Sequence, residues 1–268
     1  MQDAGSFKRK IRTFYRSQGR DLPWRRTRDP YRILVSEIML QQTQVDRVKS
    51  FYENFIKRFP DFRSLAHAKK SDVLRAWQGL GYNRRALSLR ETARIVAEEY
   101  GGALPRKRET LESLPGIGPY TAGAIRAFAF NEPEVFIETN IRRVFIHSFF
   151  PARAKVSDRD ILPLIERTLD PQDPRAWYFA LMDYGAMLGT AERVNPNRRS
   201  AHYVRQSKFG GSDREIRGKI LRLVLAQKAI RVDELVGVIP QPKDRVMKIV
   251  DALSREGFLK KKSDVISL

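Results

Sequence analysis

The sequence contains no cysteine and only three histidines among its 268 residues. The missing thiols exclude disulfides, thiolate zinc sites and iron–sulfur clusters on this chain. No apolar run approaches the roughly 20 residues of a membrane span, and charges interrupt the N-terminal stretch where a signal peptide needs an apolar core. Catalysis must therefore rest on carboxylates, hydroxyls, amides or lysine, and we expect a cytoplasmic, nucleoid-associated protein with no membrane partner.

Acidic residues are also scarce. Asp and Glu number 31 against 51 Lys and Arg, which leaves a formal net charge of +20. The basic residues are spread along the chain, so they indicate a folded basic surface instead of a basic tail. Such surfaces gain affinity for nucleic acid by releasing counterions from the phosphates. We expect a nucleic-acid partner, with a merely soluble basic protein as the simpler alternative.

Apolar residues recur at three- and four-residue intervals along most of the chain, as in residues 31–59, and this pattern predicts an all-α protein. Residues 191–212 are rich in Gly, Asn, Pro and Arg and predict a basic loop and linker. Beyond that loop, three helical patterns precede an expected hairpin formed by residues 257–259 and 265–268. Residues 213–268 are therefore typical of a winged helix-turn-helix module.

The most specific stretch is LPGIGPYT at residues 114–121, which lies between two helical patterns. Two helices joined by a turn with two glycines present backbone N–H groups, and the positive end of the second helix, to one phosphate. A helix-turn-helix with a glycine turn and no ligand is the alternative. The residues predicted to contact DNA here are Leu114, Gly116, Ile117, Gly118, Tyr120 and Thr121.

Three further motifs accompany the hairpin: SEIMLQQTQV at 36–45, GLGY at 79–82 and NIRRV at 140–144. With them, the chain resembles the helix-hairpin-helix DNA glycosylases, and most of all the MutY-type adenine glycosylases. The resemblance covers about residues 5–190.

The resemblance implies a two-lobed fold. A helical barrel lobe at 30–132, with its helix-hairpin-helix at 108–130, would be inserted into a lobe made of residues 1–29 and 133–190. The substrate base would be flipped from double-stranded DNA into the cleft between the lobes.

Glu37 can be argued from its neighbours alone. A helix there surrounds its carboxyl with apolar side chains, and burial raises a carboxyl pKa toward neutrality. The resemblance implies that Glu37 protonates the leaving adenine. A surface glutamate on an amphipathic helix is the ordinary alternative. The apolar neighbours are Ile33, Leu34, Val35, Ile38 and Met39.

A second carboxylate is needed near the sugar, where it stabilises an oxocarbenium-like transition state and orients a water. The resemblance places Glu138 in this role, although the family carries Asp there. Glu keeps the charge and adds one methylene. Three interpretations stay open: a working Glu in a reshaped pocket, a changed substrate, or a weakened enzyme that mainly binds DNA.

Position 120 bears on the reaction type. Family members that also cut the strand carry Lys there, whose amine forms a Schiff base with the sugar. Because this chain has Tyr120, we expect a monofunctional glycosylase without lyase activity. Tyr at this position is compatible with adenine glycosylases and with thymine/uracil mismatch glycosylases.

Three other polar or aromatic residues match positions that contact the opened duplex. Gln41 and Gln42 resemble residues that fill the duplex after base flipping, and Tyr82 resembles the wedge that intercalates beside the opposite base. We expect Arg26, residues 22–24 and residues 84–85 to line or support the cleft. Core packing is the alternative for Tyr82 and Trp24, and it is favoured for Trp24.

The absent cysteines are a departure from the family, which usually binds an iron–sulfur cluster after the segment that matches LMDYGAM. The places of three cluster cysteines are taken by Pro196, Arg199 and Arg205. The loop must then hold its shape by packing and hydrogen bonds, while its arginines keep a phosphate-contacting role. These arginines are Arg193, Arg198, Arg199 and Arg205. The remaining cofactor expectation is a monovalent cation at the hairpin carbonyls.

The C-terminal segment is a second departure. MutY-type enzymes commonly end in a nucleotide-hydrolase-like domain that recognises oxidised guanine, and residues 213–268 are too few for it. The module could add DNA affinity, contact the opposite strand, bind a repair protein, or only pack.

The sequence thus predicts a monomeric, monofunctional DNA glycosylase of base excision repair, with adenine opposite guanine or 8-oxoguanine as the expected target. One alternative acts on thymine, uracil or another damaged base. Another is a catalytically weak lesion-binding or regulatory DNA-binding protein.

Overall fold

The computed structural model describes residues 3–192, 194–204 and 208–268. In chain order the helices are α1 (Ala4–Gln18), α2 (Pro30–Leu40), α3 (Val45–Arg58), α4 (Phe62–His67), α5 (Lys70–Trp77), α6 (Arg84–Glu99), α7 (Arg108–Glu112), α8 (Pro119–Phe130), α9 (Thr139–Phe149), α10 (Asp158–Thr168), α11 (Pro174–Ala191), α12 (Asp213–Gln227), α13 (Val232–Val238) and α14 (Lys243–Arg255). The strands are β1 (Ala229–Arg231), β2 (Lys260–Lys262) and β3 (Val265–Ser267), and 3-10 turns cover Pro23–Arg25 and Pro196–Arg199. The all-α prediction is confirmed apart from one small sheet. None of these described helices has the length and apolar character to cross a membrane.

Buried apolar side chains form two clusters. The first draws on α2 to α8 and continues into α12, α13 and α14. The second lies among α1, α9, α10 and α11, with Phe7 and Trp177 in it. The division into lobes at 30–132 and at 1–29 plus 133–190 stays a prediction. What matters for function is that α2 and α8 lie where the two clusters meet, since their residues contribute to both.

The apolar pattern over residues 31–59 forms two helices, α2 and α3. α2 ends at Leu40, and the turn after it holds Gln42 at a left-handed φ of 54°. The Arg85 guanidinium from α6 donates to the carbonyls of Ile38 (3.0 Å), Met39 (2.9 Å) and Gln41. These carbonyls need partners at a helix end, so Arg85 stabilises the break.

The C-terminal module has the predicted three helices, and its sheet is larger than expected. The strands are antiparallel in the order β1-β3-β2, with Ile230 opposite Ile266 and Lys261 on the other side of Ile266. The predicted first strand at 257–259 is wrong, because Gly257 adopts a φ of 76° and the strand begins at Lys260. Strand β1 was not predicted, since three residues are too short to show an alternating pattern.

The loop after α11 is held by backbone and side-chain hydrogen bonds. Val156 N–H donates to the carbonyl of Arg199 over 2.8 Å, and Ala201 N–H donates to the carbonyl of Val156 over 2.8 Å. The Asn197 amide donates to the carbonyl of Thr139 at 2.9 Å, next to the start of α9. These contacts fit the expectation that a loop without cluster ligands keeps its shape through hydrogen bonding.

Arg199 is bound to backbone carbonyls of its own chain. Its guanidinium donates to the carbonyls of Phe150, Pro151 (3.0 Å) and Arg153 (3.3 Å), after the end of α9. Unpaired carbonyls at a helix end attract such donors. The phosphate-contacting role of this half-exposed side chain stays a prediction. Arg198 is exposed. The other two arginines of this prediction, Arg193 and Arg205, lie outside the described residues.

Candidate active site

A cavity of about 150 Å³ lies where α2, α8, α9 and α11 approach the Pro23–Arg25 turn. Two carboxyls and one phenol, those of Glu37, Glu138 and Tyr120, line it together. The structure therefore brings together the three residues that were predicted to be catalytic, although Glu37 is 83 positions from Tyr120 and still further in sequence from Glu138. The other lining residues are Arg20, Leu22, Trp24, Arg25, Ile33, Ser36, Leu40, Thr43, Val45, Phe128, Asn140, Phe179 and Met182.

Glu37 lies on α2 and is only 4% exposed. Burial raises the pKa of its carboxyl to about 7, and the negative charge of Glu138 adds to this. The Tyr120 hydroxyl donates to Glu37 Oε2 at 2.9 Å and partly offsets the rise in pKa. A carboxyl with this pKa carries a proton on a large fraction of molecules near neutral pH, so Glu37 can act as a general acid.

Tyr120 links the hairpin to this acid. It is the second residue of α8, after Gly118 and Pro119, and its ring packs edge-on against Phe136 with 5.8 Å between centroids. Burial raises the pKa of its hydroxyl well above the ordinary value, and the carboxylate of Glu37 adds to the rise. Tyr120 therefore stays neutral and acts as a hydrogen-bond donor.

Glu138 is the N-cap of α9. Its Oε1 accepts the backbone N–H groups of Asn140 (2.7 Å) and Ile141 (2.8 Å), while the Asn140 amide donates to Oε2 at 3.3 Å. Burial raises the pKa of the Glu138 carboxyl, and the two backbone hydrogen bonds oppose that rise. A helix N-terminus favours a carboxylate, so the fold holds the longer Glu side chain in a fixed place.

Close packing of α11 against α9 supports Glu138. A Cβ added at Gly185 on α11 would lie 2.3 Å from the carbonyl oxygen of Asn140. The Arg143 guanidinium donates to the Asn140 side-chain oxygen (2.8 Å) and to the carbonyl of Gly185 (2.5 Å). The first turn of α9 is thus pressed against a position where only glycine fits.

We expect Gly185→Ala to lower the free energy of unfolding by about 3 kcal/mol, the upper part of the range for overpacking. The added methyl collides with backbone, which cannot rotate away as a side chain can. Urea unfolding measures the effect. The matched control is Gly218→Ala on α12, where a Cβ would meet no atom within 4 Å. That variant should gain up to about 1 kcal/mol, and equal stability of the two variants would contradict the packing account.

The hairpin has the backbone features that a phosphate site needs. Gly116 has a φ of 82°, and a Cβ there would lie 2.9 Å from Ser88 Cβ. Gly118 caps α8, and a Cβ there would meet nothing within 4 Å. The N-terminus of α8 is therefore open to close approach by a ligand.

The side chains of Leu114 and Ile117 lie beneath the hairpin. Their side chains are only 4% and 5% exposed, and both belong to the first apolar cluster. They anchor the turn, and the expected contact of its backbone with DNA stays a prediction. Thr121 is 2% exposed, and its hydroxyl accepts a hydrogen bond from the Gln41 amide at 3.2 Å. The sequence motif does not distinguish an anchoring residue from a contacting one.

Hairpin carbonyls were predicted to hold a monovalent cation, and two of them accept hydrogen bonds from side chains. The Thr92 hydroxyl donates to the carbonyl of Pro115 at 2.8 Å, and the Gln41 amide donates to that of Gly116 at 3.2 Å. No group of three His, Asp or Glu side chains suited to a metal occurs in the described part of the chain. The cation stays a prediction.

Comparison with known proteins places this geometry in a family. Residues 35–165 match the model of the HhH-GPD superfamily of base excision DNA repair proteins. An adenine DNA glycosylase of Mycolicibacterium smegmatis is 36% identical over an alignment 276 positions long. The alignment covers 94% of this chain and 92% of that protein. The chain belongs to the HhH-GPD superfamily. The resemblance drawn from the sequence is confirmed.

Two further relatives are glycosylases named for other bases. A thymine/uracil-DNA glycosylase of Methanothermobacter thermautotrophicus is 34% identical over 197 residues, covering 70% of this chain and 89% of that protein. A solved thermostable thymine-DNA glycosylase has a TM-score of 0.62 and 31% identity, covering 72% of this chain and 93% of that one. The HhH-GPD assignment agrees with the all-α fold and with DNA as the partner.

The sequence analysis did not predict a buried cluster of one aspartate and two arginines next to the cavity that holds Glu37 and Glu138. Asp183 on α11 is 2% exposed and accepts hydrogen bonds from Arg20 Nε (2.7 Å) and from both terminal nitrogens of Arg25 (2.8 Å each). The Arg25 charge lowers the pKa of Glu37, although less than burial raises it. The one available signal was a single Asp in the apolar stretch LMDYGAM.

Arg26 does not line the cavity. It forms an exposed pair with Asp21, and the cavity is lined by its neighbour Arg25, whose guanidinium packs 4.4 Å from the Phe179 ring centroid. Trp24 is buried against Tyr52, as expected for core packing, and it also lines the cavity. Adjacent arginines in a short turn cannot be separated by sequence pattern.

The residues predicted to probe DNA lie on turns next to the hairpin. Gln41 connects the end of α2 to the hairpin through Gly116 and Thr121. Gln42 and Tyr82 both have left-handed backbone, with φ of 54° and 48°. Such backbone is costly for residues other than glycine and often marks functional sites. Their DNA contacts stay predictions.

Proposed function

We propose that this protein is a monofunctional adenine DNA glycosylase of base excision repair, acting on adenine opposite guanine or 8-oxoguanine in duplex DNA. The observation that carries the proposal is the buried Glu37 carboxyl, with a pKa of about 7, in one cavity with Glu138. The similarity to an adenine DNA glycosylase over 94% of the chain supports the choice of base.

The two carboxyls have different tasks in this reaction. A flipped adenine enters the cavity, and protonated Glu37 transfers its proton to a ring nitrogen of the base. The bond between the sugar and the base then breaks, with its electron pair leaving on the now neutral adenine. The Glu138 carboxylate stabilises the positive charge on the sugar, and a water adds there and loses a proton, leaving an abasic site.

The proposal excludes a lyase step. Strand cleavage of this type needs an amine that attacks the sugar, and the position of that amine is held by Tyr120 with a neutral hydroxyl. No lysine lines the cavity among the residues that the structure describes. Borohydride added during turnover should trap no covalent adduct, and a trapped adduct would contradict this part of the proposal.

A thymine/uracil glycosylase is the second candidate, favoured by the two relatives with that activity. Uracil and thymine leave as anions whose charge is shared by two carbonyls, so their departure does not require a proton from Glu37. An acid with a pKa near 7 is of greater use for adenine. We therefore place adenine first.

A single-turnover panel decides between the candidates. The enzyme, in excess, is incubated with duplexes that carry A opposite G or 8-oxoguanine, T or U opposite G, or alkylated and deaminated bases, and alkali reveals abasic sites. Excision of adenine supports the proposal. Excision of only T or U favours the second candidate, and no excision from any duplex favours a DNA-binding protein with little catalytic power.

The proposal includes a monomer associated with the nucleoid. The net charge of +20 supports a DNA-associated protein, since positive charge draws it to duplex DNA. Sedimentation at micromolar concentration checks the oligomeric state, and fluorescence imaging of a labelled protein checks its place in the cell.

We expect the single-turnover rate to fall as pH rises above about 7. The active form of Glu37 is the protonated one, and its pKa of about 7 sets where that form is lost. Above this pH the rate should drop about tenfold per pH unit. A rate measured from pH 5.5 to 9 that stays constant would contradict a role for Glu37 as the acid.

Tyr120→Phe provides the internal control for this pH profile. In the wild type, the Tyr120 hydroxyl donates to Glu37 and lowers the pKa of the Glu37 carboxyl. The substitution removes this hydroxyl. Without that hydrogen bond the pKa of Glu37 rises further, so the loss of rate should move to higher pH. A shift to lower pH would show that another group controls the profile.

A further inference from the structure

The C-terminal module contacts the predicted wedge residue directly. Arg214, the second residue of α12, donates from Nη1 to the Tyr82 hydroxyl at 2.5 Å. The guanidinium carbon of Arg214 also lies 5.6 Å from the Tyr82 ring centroid. The contact joins residues 132 positions apart. It places a positive charge from the module beside the GLGY turn.

Tyr82 lies on the same surface as the other predicted DNA contacts. Arg85 Nη2 donates both to the carbonyl of Gly81 at 3.0 Å and to the hydroxyl of Thr43 at 3.1 Å. The Gln41 amide then reaches the hairpin at Gly116. The wedge turn, the turn after α2 and the hairpin are thus neighbours, and Arg214 extends this row of contacts.

The module is fixed in this position by more than the Arg214 contact. The Arg75 guanidinium on α5 donates to the carbonyl of Leu225 at 3.1 Å, and Lys70 Nζ donates to the carbonyl of Gly257. Buried residues of α12 belong to the same apolar cluster as Trp77 and Leu80. Residues 213–268 are therefore packed onto the α5 and GLGY region instead of being tethered beside it.

We propose that residues 213–268 form part of the DNA-binding surface and that Arg214 contacts the DNA strand opposite the excised base, next to Tyr82. The inference rests on the proposed function for the direction in which the duplex lies. A guanidinium matches both the phosphate group and the edge of guanine, so either part of a nucleotide can be its partner. This gives the C-terminal module a role in substrate recognition.

The test is a binding measurement that requires no catalysis. The probe is a duplex with a stable tetrahydrofuran abasic analogue opposite G, T or C, at fixed salt. Arg214→Ala should raise the Kd about tenfold, the effect of one well-placed guanidinium contact. The matched control is Arg222→Ala, an exposed arginine on the same helix, with a change below about twofold.

The outcomes separate the contact from the enzymatic proposal. A tenfold loss on all three duplexes supports a backbone contact, and a loss concentrated on the G duplex supports contact with the base; both sustain the inference. Equal Kd for Arg214→Ala and Arg222→Ala overturns it. Wild-type protein that binds the probe and excises no base would refute only the proposed function.

A second variant guards against misfolding. Arg214→Gln keeps a donor for the Tyr82 hydroxyl while it removes the charge, so the module should stay docked. Thermal unfolding of both variants checks this. If Arg214→Gln melts like the wild type and binds DNA with wild-type affinity, the charge has no role in binding and the inference is wrong.

Discussion

Glu37→Gln is expected to lower the single-turnover rate of adenine excision by about a thousandfold, while the Kd for duplex DNA stays within about threefold of the wild type. Glutamine keeps the shape of the side chain, and its oxygen can still accept the Tyr120 hydroxyl that now reaches Oε2 at 2.9 Å. It carries no acidic proton. The cavity therefore stays formed, and only proton donation to the leaving base is lost.

The matched control is Glu53→Gln, which makes the same substitution at an exposed glutamate on α3. Its rate should stay within about twofold of the wild type, as for most surface substitutions. An unchanged rate for Glu37→Gln would show that another acid protonates the base. A loss of DNA binding together with activity would instead show that the side chain maintains the site's shape.

Stability gives an independent readout of the same carboxyl. The folded-state pKa of Glu37, about 7, lies above its ordinary value of 4.5. Folding therefore favours the protonated form, and the stabilisation that this proton gives is lost as pH rises through about 7. Glu37→Gln lacks this loss. Its stability relative to the wild type should increase between pH 6 and pH 9, as measured by urea unfolding.

The hairpin and Glu37 could be predicted because their signals are local. Glu37 is surrounded by apolar residues along its own helix, and the hairpin's glycines lie between two short helical patterns. The backbone agrees: Gly116 adopts a positive φ, and α8 begins directly after Gly118. In both cases the neighbours in sequence are also the neighbours that determine the structure.

Contacts between distant segments could not be predicted. Asp183 holds Arg25 across 158 positions, and Arg85 reaches the end of α2 across 44 to 47. A sequence pattern reports which face of a helix is buried, and it does not report which helix covers that face. Leu114 illustrates the same limit, because its burial depends on the apolar cluster beneath the hairpin.

The substitution of Glu for the family's Asp is a case where local structure answers a question the sequence left open. Glu138 reaches the N–H groups two and three residues ahead of it, which is the usual reach of a capping side chain. The additional methylene is therefore accommodated in a side chain tied to the start of α9. This favours a working carboxylate over a site that only binds DNA.

Glu138→Gln is expected to lower the rate of adenine excision by about a hundredfold, because the charge that stabilises the sugar cation is removed. The amide oxygen of glutamine can still accept the N–H groups of Asn140 and Ile141, now at 2.7 and 2.8 Å from Oε1. The helix cap is thus kept, and stability should change by less than about 1 kcal/mol. Single-turnover assays at pH 6.5 on the A opposite 8-oxoguanine duplex measure the rate.

Glu138→Asp separates charge from reach. Aspartate keeps both the cap and the negative charge and withdraws the carboxylate by about one bond length, so its rate reports how closely the pocket is fitted to glutamate. If Glu138→Gln retains the wild-type rate, Glu138 serves only as the cap of α9. If Glu138→Gln is slow while Glu138→Asp is fast, the negative charge is the catalytic requirement and either acid can supply it, because both are held by the same helix N-terminus.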